Sequence, residues 1–244
     1  MTDLRLGDCL EVMKSIPSGS IDAIITDPPY GTTACKWDSV IDFELMWEQL
    51  NRIIKPNGAI VLFGSEPFSS ALRMSNIKNY KYDLVWNKKS TTGFLNANRM
   101  PLRQHENINI FYKKQCTYNP QMREGKTRTK GGKKFANNGV YGDFKEMPKE
   151  TYNMYHPTSI KTFSNANQKA KQHPTQKPIE LMEYLINTYT NENETVLDFT
   201  MGSGSTGVAA KNTNRNFIGI EQDENYFNIA TERISKEEKQ LKIL

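Results

Sequence analysis

Asp27-Pro28-Pro29-Tyr30 sets an acceptor-rich turn beside an aromatic ring, directly after the apolar run Ile21-Asp22-Ala23-Ile24-Ile25-Thr26. That run, bounded by the turn signal Pro17-Ser18-Gly19, reads as a short buried strand. The two prolines set successive φ angles and remove two backbone donors, leaving carbonyls without local partners. The Asp27 carboxylate and the Pro28 carbonyl can together accept the hydrogens of an exocyclic NH2, and Tyr30 can stack on the ring that carries the amine. A plain strand-ending turn with a capping Asp would use the same four residues.

A second constellation lies near the other end of the chain. Val196-Leu197-Asp198-Phe199-Thr200-Met201-Gly202-Ser203-Gly204-Ser205-Thr206 reads as a strand, a glycine- and serine-rich turn and a helix start. Gly202 and Gly204 admit a ligand close to the backbone, and the helix N-terminus offers unpaired N–H groups to an anion such as a carboxylate. Phe217-Ile218-Gly219-Ile220-Glu221 is a second strand closed by an acid, at the spacing of the acid that takes ribose hydroxyls in nucleoside-binding doubly wound folds. Gly202, Gly204 and Gly207 also satisfy the bare G-x-G-x-x-G pattern of nicotinamide sites. Asp198 separates the two ligands: a carboxylate there repels a pyrophosphate but pairs with the ammonium of an amino-acid-bearing nucleoside. S-adenosylmethionine has such an ammonium, and NAD does not.

The elements that must hold these residues alternate. Leu4–Leu6, Ile21–Thr26, Ala59–Phe63, Lys81–Asn87 and Asn107–Tyr112 read as strands, with the last two as antiparallel neighbours at a sheet edge. Cys9–Ile16, Phe43–Ile54 and Glu66–Met74 read as helices, the second carrying an apolar stripe that Lys55-Pro56-Asn57-Gly58 stops. Between about 113 and 172 periodicity dissolves into Asn, Lys, Gly, Thr and interleaved aromatics such as Tyr118, Phe135, Tyr141, Phe144, Tyr152 and Tyr155. The helix Ile179–Tyr189, strand Thr195–Asp198, helix Thr206–Lys211, strand Asn216–Glu221 and a charged helix from Glu224 to about Lys239 follow.

A chain of 244 residues can bury one α/β core with a modest insertion. No apolar run spans a bilayer and the N-terminus lacks a secretory h-region, so a cytoplasmic protein is expected. Cys9, Cys35 and Cys116 are scattered without a C-x-x-C pair, and His105, His156 and His173 lack ligand spacing, so no metal and no disulfide framework is expected. The net charge of +5 is uneven: from Lys113 to Lys134 eight basic residues face one acid, Glu124. Such a run is either a solvated loop or a polyanion contact. Lys126, Arg128, Lys130, Lys133 and Lys134 in it, with Lys88, Lys89 and the loop aromatic Trp37, are the candidate polyanion-contacting residues. Trp47 and Trp86 read as core, Cys9 as packing, and Arg103, His105 and Glu106 as residues before a strand without a catalytic role.

The order of DPPY, a variable segment, HPTQKP (His173–Pro178), DFTMGSGST and GIE resembles the circularly permuted β-class of DNA amino-methyltransferases. The resemblance covers roughly 1–112 and 173–244 and rests on three motifs in the family's order. It implies a doubly wound, mostly parallel, seven-stranded α/β sheet that is circularly permuted. It divides the chain into a catalytic half (1–112), a target-recognition region (113–172) and a cofactor-binding half (173–244). Asp27, Pro28, Pro29 and Tyr30 are then the catalytic group. Asp198, Phe199 and Gly202, Ser203, Gly204, Ser205 and Thr206 hold the methionine part of S-adenosylmethionine. Glu221 takes the ribose, Asp8 and Cys9 lie at the adenine ring, and Thr175, Gln176 and Lys177 border the cofactor's carboxylate end. Where family members often carry Asp-Pro-Phe, this chain reads Asp198-Phe199-Thr200, with the aromatic one position earlier.

The implied partner is double-stranded DNA with a flipped target base, and the implied source is bacterial or phage. A homodimer and a cognate restriction endonuclease are open as further partners. Asp at the head of the Pro-Pro motif points, by the same resemblance, to adenine N6. Cytosine-N4 or RNA-adenine methylation and a non-catalytic DNA-binding chain of the same fold are the alternatives.

Overall fold

The computed structural model describes residues 1–32, 38–130, 149–165 and 176–241, the last five of these in backbone only. Among the described residues ten strands and six α-helices follow in chain order. They are β1 (Thr2–Leu6), α1 (Cys9–Met13), β2 (Ile21–Thr26), α2 (Phe43–Ile53), β3 (Ile54–Gly64), α3 (Phe68–Ser75), β4 (Tyr80–Thr92) and β5 (Arg103–Phe111). Then come β6 (Arg123–Lys130), β7 (Glu150–Tyr155), β8 (Ile160–Thr162), α4 (Ile179–Tyr189), β9 (Thr195–Asp198), α5 (Ser205–Asn212), β10 (Asn216–Glu221) and α6 (Glu224–Leu241).

Two compact units result, one formed by 1–119 and 159–244, the other by 120–158. In the larger unit a sheet runs in the order β1-β10-β9-β2-β3-β5-β4-β8. The pairings from β1 through to β3 are parallel, β5 is antiparallel to β3 and β4, and β8 adds a parallel edge beside β4. The expected seven strands are therefore eight: three residues are too few to leave a periodic signal. β3 also starts before Ala59, because a register shift between Ile21 and Ala23 of β2 takes up Lys55-Pro56-Asn57-Gly58. The antiparallel edge pair is present as expected.

Strand alternation divides the core between the two sheet faces. Ala59, Val61 and Phe63 of β3 pack with Leu181, Leu185, Val208, Ala209 and Ala230 of α4, α5 and α6. Ile60 and Leu62 pack with Met13, Trp47, Leu50, Phe68 and Leu72 of α1, α2 and α3. Trp47 and Trp86 are core residues, as expected. At about 25 cal/mol per Å² of apolar area removed from water, these two layers are the main drive for folding.

Topology positions the site. β9 and β2 are neighbours although they come from opposite ends of the chain, with Ala23 opposite Val196 and Ile24 opposite Leu197. Because β1, β10, β9 and β2 are parallel, their carboxyl ends reach one edge of the sheet, where open α/β sheets bind ligands.

In the smaller unit β6 and β7 form an antiparallel hairpin, with Arg123 opposite Tyr155 and Lys130 opposite Glu150. Regular structure thus exists inside the stretch that lacks periodicity. Every residue of β6 is exposed, so no apolar alternation is required of it. Residues 113–119 and 159–165, expected with the middle region, belong to the larger unit. Among the described residues no helix is long and apolar enough to cross a membrane.

Candidate active site

Thr26 ends β2 and Asp198 ends β9, and hydrogen bonds between them fix the two motifs at a common edge. Thr26 Oγ1 donates to Asp198 Oδ1 at 2.5 Å, and the Thr200 hydroxyl, 2.7 Å from that of Thr26, donates to the Asp27 carbonyl at 3.1 Å. Asp198 also accepts from Thr200 N at 3.2 Å and from Thr206 Oγ1 at 2.5 Å. Burial pushes its carboxyl up to about 6, against these hydrogen bonds, which hold it down. Gly204 caps α5 with φ +79°, a conformation that disfavours any side chain, and an added Cβ would stand 3.0 Å from Ala230 Cβ.

Glu221, at the end of β10, receives Gly202 N at 2.8 Å and Asp223 N at 2.9 Å, one on each carboxylate oxygen. It sits opposite Leu6 of β1, and Gly7 N donates to its carbonyl at 2.9 Å. Burial raises its pKa, and the backbone donors oppose that rise. Asp8 caps α1 through bonds from Leu10 N (2.9 Å) and Glu11 N (3.3 Å). Cys9 stays a protonated thiol, since burial and then the Asp8 charge push it up to about 12.

The Asp-Pro-Pro-Tyr turn is clamped from behind by Asp38. Its carboxylate accepts Tyr30 N, Gly31 N and Thr32 N at 2.8, 2.9 and 2.9 Å. The Tyr30 ring stacks on Phe68 with centroids 5.0 Å apart, and its hydroxyl donates to Asp27 Oδ1. Lys177 Nζ donates to Asp27 Oδ2. Burial raises the Asp27 pKa, and the Lys177 charge opposes it.

Most of these groups meet in one cavity of about 720 Å³, which Gly204 does not line. Asp8, Cys9, Asp27, Pro28, Pro29, Tyr30, Gln176, Lys177, Asp198, Phe199, Gly202, Ser203, Ser205, Thr206 and Glu221 line it. Ser203 Oγ donates to Gln176 Oε1 at 3.2 Å, which joins the HPTQKP segment to the glycine-rich turn. Phe199 is at once a cavity wall and a fully buried core residue.

Three expectations need correction. Lys88 is buried, and its ammonium bonds Glu106 Oε1 at 2.5 Å, so it faces the interior instead of a phosphate. Lys89 is the exposed member of the pair. The strand turns irregular here, with Lys89 at φ +62° and a register shift between Asn87 and Thr92, so the two lysines do not share one environment. Arg103, His105 and Glu106 lie on β5 itself, and Glu106 lines the cavity with Lys88 and Arg103. Lys177, expected at the cofactor's carboxylate end, is ion-paired to Asp27 and stands 3.4 Å from Glu106 Oε2. Period two held the signal: Glu106 shares parity with the buried Ile108 and Ile110, and Lys88 with Leu84 and Trp86. Asp38 and Thr200 had no such signal, since their roles depend on loop geometry.

Lys126, Arg128 and Lys130 are exposed on β6, where Arg128 lies 6.0 Å from the Tyr155 ring centroid and Lys130 4.9 Å from that of Tyr152. Trp37, Thr175, Lys133 and Lys134 lie outside the described residues.

An amino-acid-bearing nucleoside suits this donor set. Among the described residues Ser205 Oγ is buried on the cavity wall without a hydrogen-bond partner, and Glu221 keeps lone pairs beyond the Gly202 and Asp223 donors. Asp198 Oδ2 likewise accepts a single hydrogen bond from Thr206.

Residues 21–232 match the sequence pattern of a family described as DNA methylase. The chain is 30% identical over 256 residues to the type II methyltransferase M.HpaI of Haemophilus parainfluenzae, covering 96% of this chain and 75% of that protein. It is 29% identical to M.HinfI of Haemophilus influenzae, with 93% and 67% covered. Among solved structures, the M1.HpyAVI–SAM complex superimposes with a TM-score of 0.64 at 29% identity, covering 96% of this chain and 99% of the other. The cytosine-N4-specific PvuII methyltransferase shares the fold, with a TM-score of 0.67 at 17% identity.

Proposed function

The chain belongs to the DNA methylase family, and from that premise we propose that it moves a methyl group from S-adenosylmethionine to the N6 amino group of adenine at a specific DNA site. The observation that carries this reading is the shared cavity. Asp27 and the Pro28 backbone stand in the same space as Asp198, the glycine-rich turn and Glu221.

S-adenosylmethionine supplies an electrophilic methyl group when bound. Asp198 would face its ammonium, the N-terminus of α5 with Ser205 and Thr206 its carboxylate, and Glu221 its ribose hydroxyls. The amine of adenine is a weak nucleophile because its lone pair is delocalised into the ring. Asp27 and the Pro28 carbonyl accept its two N–H bonds, which favours a pyramidal nitrogen and stabilises the charge that develops there. The nitrogen so held would take up the methyl group that the bound cofactor supplies. The surplus proton passes to Asp27, whose burial favours protonation. Reaching a paired base requires flipping it out of the duplex at a cost of a few kcal/mol. The 120–158 unit, with Lys126, Arg128 and Lys130, holds the DNA backbone in this reading.

Asp27 at the head of the Pro-Pro turn supports adenine over cytosine, since the cytosine-N4 enzymes it resembles more often carry Ser there. Nucleoside analysis of duplex DNA incubated with the protein and labelled cofactor tests the reading. N6-methyladenine is the expected product, abolished by Asp27→Ala. N4-methylcytosine, or transfer that survives Asp27→Ala, would refute it.

A further inference from the structure

Asp27 belongs to a buried row of four charges. Lys177 Nζ bonds Asp27 Oδ2 and stands 3.4 Å from Glu106 Oε2, while Lys88 Nζ bonds Glu106 Oε1 at 2.5 Å. Two acids and two ammonium groups balance, so the row is neutral as a whole. The Lys177 ammonium lies 5.1 Å from the Phe63 ring centroid and 5.8 Å from that of Trp86, over an aromatic floor.

The row is unevenly satisfied. Among the described residues Glu106 Oε2 is buried and receives no hydrogen bond. An ammonium has three donors: Lys177 directs a short hydrogen bond at Asp27 Oδ2 and makes a longer ionic contact, 3.4 Å, with Glu106 Oε2. A buried acceptor left without a donor costs about 1–3 kcal/mol, more when charged. Here the Lys177 ammonium already stands 3.4 Å away, a few tenths of an ångström beyond an ordinary hydrogen-bond length. Meanwhile both Asp27 oxygens already receive donors, from Tyr30 and Lys177. Each oxygen keeps a further lone pair, so an arriving N–H competes with the donor already there and is bound more directly when that donor yields.

We propose that Lys177 is a positioning residue with two seats: its ammonium occupies Asp27 Oδ2 until a target amine arrives, then transfers its hydrogen bond to Glu106 Oε2. The transfer moves no proton. It frees Asp27 Oδ2 for the exocyclic N–H and keeps a positive charge close enough to hold Asp27 ionised. Glu106, on β5, serves as the waiting seat, and Lys88 anchors it from its other oxygen. The proposal rests on the amine-methylation reading above and deepens it.

Removing the waiting seat gives a signature that loss of structure alone would not. Asp27 is faced by Tyr30, Lys177, Glu106 and Asp198. The Glu106 charge raises the Asp27 pKa and the Lys177 charge lowers it. Glu106→Gln therefore lowers kcat, by roughly tenfold or more on the scale of one lost buried hydrogen bond, while moving the acid limb of the kcat profile to lower pH. Lys177→Met moves that limb to higher pH. Both variants keep wild-type affinity for S-adenosylmethionine, measured by calorimetry. K88M/E106Q, which removes the cation that E106Q strands, is expected to behave as E106Q does.

A wild-type rate for E106Q, or a lowered rate with an unmoved acid limb, overturns the proposal. A crystal structure of the wild-type protein with duplex DNA and a non-reactive cofactor analogue tests it without any variant. Lys177 Nζ on Glu106 Oε2 supports it, and Lys177 Nζ still on Asp27 Oδ2 refutes it. If the wild-type protein methylates no exocyclic amine, the functional reading fails instead, which the wild-type assay detects by itself.

Discussion

Asp198→Asn should stabilise the ligand-free protein while destroying its cofactor site. Asp198 is almost fully buried at the end of β9, and its carboxyl is raised from 3.8 to about 6. A native carboxyl raised above its unfolded value binds a proton more readily folded than unfolded. Its ionisation cost is therefore fully present above pH 6, shrinks as pH falls below 6, and is gone near pH 3.8. The difference between those two pKa values corresponds to about 3 kcal/mol at neutral pH. Asparagine carries no charge and can still bond the Thr26 and Thr206 hydroxyls, so at pH 8 the variant gains up to about that amount. Urea denaturation of the ligand-free proteins at several pH values measures the gap, which should close between pH 6 and 4.

In the proposed reading the same carboxylate pairs with the cofactor's ammonium. If only the ionised form pairs with an ammonium, the apparent Kd of wild-type protein at pH 5 is about tenfold weaker than at pH 8. The variant binds weakly at both pH values. A variant less stable than wild type at pH 8, or wild-type affinity flat from pH 8 to 5, would refute the assignment of Asp198 as a buried, costly, ammonium-facing anion.

Tyr30→Phe keeps the stack on Phe68 and removes the donor to Asp27 Oδ1. A loss of about tenfold or more in kcat is expected, with the acid limb of its pH profile moved upward because that hydrogen bond holds Asp27 down. Replacing Arg128 and Lys130 by Ala should weaken DNA binding, flatten its salt dependence by a slope of about 2, and leave cofactor affinity unchanged. Electrophoretic shifts across a salt series read this out. Gly207→Ala places a Cβ 2.4 Å from Ile234 Cδ1 and 2.7 Å from Phe217 Cε1, so a loss of about 1–3 kcal/mol is expected in thermal unfolding.

Local pattern in the chain was enough to place β2, α4, β9 and β10 at their observed bounds, because each is an apolar run ended by a turn or an acid. It was also enough to mark Asp27, Asp198, the glycine-rich turn and Glu221, whose chemistry is written in residue type and spacing. The pairing of β6 and β7 was not legible: β6 is exposed throughout and β7 half-buries only Tyr152 and Tyr155, so no apolar alternation is imposed on them. The row from Asp27 through Lys177 and Glu106 to Lys88 was not legible either. Those residues are remote in sequence, and only the ordering of β2, β3, β5 and β4, with the segment before α4 laid across it, brings their charges within reach. Residue type determines which groups can bear charge. Tertiary packing decides which of them are taken from water together, and that removal makes their pairing strong enough to matter.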